Sequence, residues 1–200
     1  MNNELNKEVK WSENVVLADA DYIDSVAFNL IVNFERMIGR RIPQADMARW
    51  VDCVALDGGL RQGEHETRVV LIHDKASVGM KYFVPGEFSQ LKDQAFRDNL
   101  GEFAFEVYPV EELTTKEDFF TDALLAICQQ QEVKRIMVVA GDAYYNKVRE
   151  ALNRLEEKEE RHVTVFAMQP MPGGSFRQEM LGYSLMAALG IRGEEVKTDN

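Results

Sequence analysis

The sequence predicts a three-layer α/β/α sandwich built on a five-stranded, mostly parallel sheet. Three observations lead there. Short apolar runs alternate with helical stripes from residue 14 to residue 189. The runs at 14–20 and 133–140 are apolar on both faces, as strands in the middle of a covered sheet must be. Every two successive strands are separated by a helical pattern, which is the connection that parallel neighbours require.

In chain order, the first strand (14–20) leads directly into a helix with one continuous apolar face from Tyr22 to Ile38. A second helix is expected at 46–56, then a strand at 67–73. The spacing predicts a helical crossover at 88–100 and a third strand at 102–108. That strand alternates polar and apolar residues and carries Glu106, which suits a sheet edge. Helix 115–130, strand 133–140, helix 143–157, strand 162–168 and helix 175–189 complete the series. Residues 1–12 and 192–200 read as loose tails around one domain at 13–191. Right-handed crossovers favour the strand order 3-2-1-4-5, with the chain reversing direction between strands one and four. Ligands in such sheets bind beyond the strand C-terminal ends, at that reversal.

The composition sets limits. Net charge is −11, with 46% apolar and 28% charged residues, which argues against non-specific binding to nucleic acid or to an anionic membrane. Arg36, Arg40, Arg41 and Arg49 lie close enough in sequence to form a local basic surface. The polar, acidic start leads to the expectation of no secretory leader, and no apolar run is long enough to span a bilayer. Cys53 and Cys128 read as buried thiols of a reducing cytoplasm. An oligomeric state leaves no signature in the sequence.

The candidate site lies at the predicted reversal. "VVLADADYIDS" ends the first strand in Asp19, Asp21 and Asp24, and "AGDAYYN" follows strand four, so Asp142 should face that cluster across the crevice. Like charges so close need an offset, from a metal ion, a helix N-terminus or solvent. Asp24 is expected to cap the first helix, and Asp142 could equally be the N-cap of its own. Thr115 and Asp118 resemble a capping box. Asp118 and Asp122 are carboxylates one turn apart on the helix that opens at the same sheet edge. The Gly-rich loop at 169–178 reads as a turn whose Ser175 and Gln178 cap a helix, and His73 reads as structural.

Strand-Asp ("VVLADAD"), an acid-bearing helix ("KEDFFTDALLAI") and strand-Gly-Asp ("IMVVAGDAYYNKV") together resemble the PIN-like superfamily, especially its NYN branch. That resemblance implies a Mg2+- or Mn2+-dependent ribonuclease. Asp19, Asp21 and Asp142 would be catalytic and would hold the metal with Asp122, with Asp118 in reserve. Arg36, Arg40 and Arg41 would contact RNA. The last motif normally continues Ser-Asp-Phe, whereas here it continues Ala143-Tyr144-Tyr145. This departure favours a non-catalytic PIN-like scaffold that binds a protein or nucleotide partner. "VVLADADYI" is also similar to the Asp-x-Asp signature of haloacid-dehalogenase-like phosphatases. There Asp19 would be the nucleophile, Asp21 the general acid/base, and Asn146 would take the last place of a later motif. That family's Ser or Thr is missing from "VVLIHD".

Overall fold

The computed structural model describes residues 10–156 and 160–196. The core is an α/β sandwich. Strand β1 (Asn14–Asp19) is buried along its whole length and passes directly into helix α1 (Ala20–Ile38). Helix α2 (Met47–Asp57) starts at the side-chain cap of Asp46 and leads to β3 (His65–His73). A short parallel pair, β2 (Ala45–Asp46) with β4 (Phe83–Val84), stands apart from the main sheet. After one turn of helix, α3 (Phe88–Leu91), come β5 (Ala95–Asp98) and β6 (Gly101–Pro109). The second half runs α4 (Lys116–Gln129), β7 (Arg135–Val139), a 3-10 turn at Asp142–Tyr144, α5 (Tyr145–Asn153) and β8 (His162–Ala167). It ends with β9 (Arg177–Met180), α6 (Leu181–Ala188) and the short α7 (Gly193–Val196).

The main sheet has seven strands in the order β5-β6-β3-β1-β7-β8-β9, all parallel except β5. Direction reverses between β1 and β7, whose residues are buried on both faces. Alternation along β1 assigns the two layers. Val16 and Ala18 pack with α1, α2 and α6, whereas Val15 and Leu17 pack with α4 and α5.

Four sequence expectations are corrected. The sheet has seven strands, not five. Residues 88–100 form only one helical turn before the chain leaves at Asp93 (φ 61°) and returns as antiparallel β5. There Phe96 stacks on Phe103 at 4.8 Å, and β6 is thereby an inner strand rather than an edge. Burying that ring and pairing an open strand edge outweigh a weak helical pattern. Likewise, the expected helix at 175–189 gives its first residues to β9, which covers β8, and the helix proper starts at Leu181.

Of the stretches expected as tails, residues 1–9 and 197–200 lie outside the described residues; in the remainder, Trp11 packs on the second core beneath the Arg68 guanidinium, and α7 is tied back by Arg40. Neither Cys53 nor Cys128 forms a disulfide, and Cys128 lies in the core. Among the described residues no helix is long and apolar enough to cross a membrane.

Candidate functional site

The opening acids separate into three different jobs. Asp19 ends β1 and is itself the N-cap of α1, accepting the backbone N–H of Tyr22 at 3.0 Å. Its other oxygen accepts the buried Tyr144 hydroxyl at 2.7 Å. Burial and the Asp19 charge hold that phenol well above its ordinary range. Asp24, expected as the cap, instead accepts the backbone N–H groups of Lys81 and Tyr82 at 3.0 and 2.8 Å. It thereby pins the loop after β3 to α1. Asp21 accepts the Asp74 N–H and the Ser77 hydroxyl, both at 2.6 Å.

The offset for this crowding is a residue the sequence reading passed over. Lys116, the first residue of α4, places its ammonium 3.3 Å from Asp19, 2.9 Å from Asp21 and 3.0 Å from Asp74. Its side chain is only 18% exposed, so its pairs with Asp19 and Asp21 are largely screened from water, whereas Asp74 stands exposed at the mouth. Burial works against the ammonium, but the Asp19 charge and hydrogen bonds to Asp21 and Asp74 outweigh it and raise its pKa. For Asp21, burial pushes upward, yet the bonds from Ser77, the Asp74 backbone and Lys116 hold the carboxyl below its ordinary value.

Topology explains the meeting. Asp19 pairs with Ile72 in the β1–β3 register, so Asp74, just past β3, stands beside it. Helix α4 follows β6, and the Gly141–Asp142 turn follows β7, so the site is assembled from the ends of four neighbouring strands, β6, β3, β1 and β7. Gly141 has to lack a side chain. A Cβ there would lie 2.8 Å from the Tyr144 ring and 3.3 Å from Asp19 Oδ2.

The remaining predicted residues are placed as follows. Asp142 is exposed and accepts the Tyr22 hydroxyl at 2.7 Å, at the rim of the same crevice. The Thr115 hydroxyl caps α4 by accepting the Asp118 N–H, as expected, while the Asp118 carboxylate accepts that hydroxyl and the Lys147 ammonium rather than the Thr115 N–H. Asp122 lies on α4 six residues beyond Lys116, about 240° around the helix, and is exposed. Asn146 is exposed in the first turn of α5. The three arginines are not equivalent. Arg40 is committed to Glu195 at 2.7 Å and the Gly190 carbonyl at 3.0 Å, while Arg36 and Arg41 are exposed. His73 is buried and stacked on Phe88 at 3.9 Å. In the Gly-rich loop, the Ser175 N–H bonds to the Asn153 side chain, so that loop closes on α5 and does not begin a helix.

The three carboxylates therefore converge on a point that holds the Lys116 ammonium. Among the described residues no group of three or more His, Cys, Asp or Glu side chains is placed to hold a metal ion. The crevice can bind and orient polar groups at its rim, through Tyr22, Asp142 and the exposed Asp74. Fold and site define an α/β protein with a salt-bridged crevice at the strand C-terminal ends. The chain belongs to the Family of unknown function (DUF6621), which matches residues 8–196. No curated protein and no solved structure matched it.

Proposed function

We propose that this protein is a non-catalytic relative of the PIN-like nucleases, a scaffold that binds its partner over the crevice at the C-terminal rim of the sheet. One observation carries the reading: the Lys116 ammonium within 3.3 Å of Asp19, Asp21 and Asp74. In this reading a built-in monovalent cation stands where a nuclease of that type would recruit a divalent one. It offsets the acids' repulsion permanently and does not supply the Lewis acid that would activate water. Asp19 is further committed to a helix cap and a buried phenol, which suits a structural anion better than a nucleophile or a metal ligand.

The test combines a melt with two assays on the wild-type protein. Mn2+ at millimolar concentration should leave the melting temperature unchanged, with neither single-stranded RNA nor an aryl phosphate turned over. A rise in melting temperature together with RNA cleavage would replace this reading with the metal-dependent ribonuclease. Aryl phosphate turnover lost in Asp19→Asn would replace it with the phosphatase.

A further inference from the structure

A second acidic meeting point lies elsewhere, between α2 and the β5–β6 hairpin. Asp52 projects from α2 within hydrogen-bonding reach of the Asp98 carboxyl at the end of β5. Asp52 Oδ1 is buried and accepts no hydrogen bond from any donor among the described residues. An ionised carboxylate with an unpartnered oxygen, beside a second carboxylate, is costly, and a shared proton lowers the cost. Asp98 is held in place independently, because it accepts the Leu100 N–H at 2.8 Å within the hairpin turn. It stands opposite Gly101, where no side chain intervenes.

A cavity of about 260 Å3 lies between α2, α3 and this hairpin, lined by Ala48, Leu91, Phe96 and Phe105, among others. Ala48 is four residues before Asp52 and so shares its helix face. Phe96 is two residues before Asp98 and shares its strand face. The carboxyl pair and the cavity are thus successive stations along one seam.

We propose that Asp52 and Asp98 form a proton-dependent clasp that holds the β5–β6 hairpin against α2 and keeps the apolar seam closed. With one proton shared, the pair is a short hydrogen bond. When that proton leaves, two carboxylates face each other and the hairpin edge is released.

The surrounding charges do not cancel this repulsion. Asp46, at the start of the same helix, adds to it. Across the hairpin, Arg97 is turned to Glu64 at 2.6 Å and Glu102 at 3.5 Å. Arg49, one turn before Asp52, bears on the Cys53 thiol. Burial first, then Asp98, raises the Asp52 carboxyl to about 7, which places the release in the neutral range.

Hydrogen exchange of the backbone amides at 95–98, corrected for the intrinsic pH dependence of exchange, tests the clasp. From pH 6 to pH 8 the wild-type protection should fall at least about tenfold. Asp52→Asn keeps a donor toward Asp98 without a charge, and its protection should be the same at both pH values. Asp98→Asn, whose side chain still accepts the Leu100 N–H, should behave likewise and serves if Asp52→Asn does not fold. Equal wild-type protection at both pH values overturns the proposal, and so does an equal fall in wild type and variant. The wild-type comparison decides alone if neither variant folds.

Discussion

The crevice at the strand ends and the seam beside α2 meet the same difficulty, carboxylates brought together in a partly desolvated place, and they resolve it differently. In the crevice, three acids surround the Lys116 ammonium. In the seam, two acids share a place that no ammonium or guanidinium among the described residues reaches, and in the proposed clasp a proton is the counter-ion. The difference teaches what each region responds to. A covalently attached cation cannot leave, so the crevice is indifferent to solution conditions near neutrality. A proton can leave, so the seam is not.

The largest test of that contrast removes the attached cation. Lys116→Ala leaves Asp19, Asp21 and Asp74 without their shared partner, and breaking a buried pair costs more than the pair contributes. Because water reaches the crevice mouth, the expected loss is about 2–4 kcal/mol in urea denaturation. The variant should also acquire what the wild type lacks, a melting temperature that rises with Mn2+. An ion bound only by the folded state at about a hundred times its dissociation constant restores about 2.7 kcal/mol. If Lys116→Ala is as stable as wild type, the ammonium is not the counter-ion, and the two regions do not differ in the way argued.

Next in size is a difference of sign with pH. The Asp52 carboxyl has a folded pKa of about 7, above its unfolded value near 3.8. The folded state therefore holds a proton that the unfolded state has released, and stability falls as pH rises between those values. Asp21 behaves oppositely. Its folded pKa lies below 3.8, so its contribution is present above that pH and disappears as pH falls through the folded value. Melts between pH 5 and pH 7.5 should show wild-type melting temperature declining and Asp52→Asn declining less. A parallel decline in both would place the titrating group elsewhere.

How far the sequence reveals these regions follows from what each depends on. The crevice's place was legible, because alternating apolar runs imply a parallel sheet and the acids follow β1 and β7 directly. Lys116 was not, since it is 97 positions from Asp19 and meets it only through the β6–α4 connection. A local signal existed. A lysine in the first turn of a helix opposes the helix dipole, so it needs an acidic partner outside that helix. Asp24 was misread because an Asp near a helix start looks like a cap, and the backbone it serves lies 57 residues away, in the loop after β3. The seam left no signal at all. It requires β5, whose four residues were absorbed into a helical pattern and become a strand only by burying Phe96 against β6.

The smallest effect belongs to Asp142, and it sharpens the contrast from the crevice side. Asp142 sits at the rim, exposed, and its one hydrogen bond described here is from the Tyr22 hydroxyl at 2.7 Å. Burial of Tyr22, then the Asp142 bond and charge, hold that phenol above its ordinary range, so the hydroxyl stays a donor at every pH used above. Asp142→Asn presents a side-chain carbonyl in the same place, and that carbonyl still accepts the bond. Asp142 also lies outside the set that Lys116 balances, so neutralising it relieves no large repulsion. Stability should change by no more than about 0.5 kcal/mol in urea denaturation. The double variant Lys116→Ala with Asp142→Asn should respond to Mn2+ as fully as Lys116→Ala alone, because the acids that meet at the vacated point are Asp19, Asp21 and Asp74. If the second substitution abolishes that response, Asp142 belongs to the cation-binding set. The crevice would then be a metal site blocked by one lysine rather than a salt-bridged scaffold.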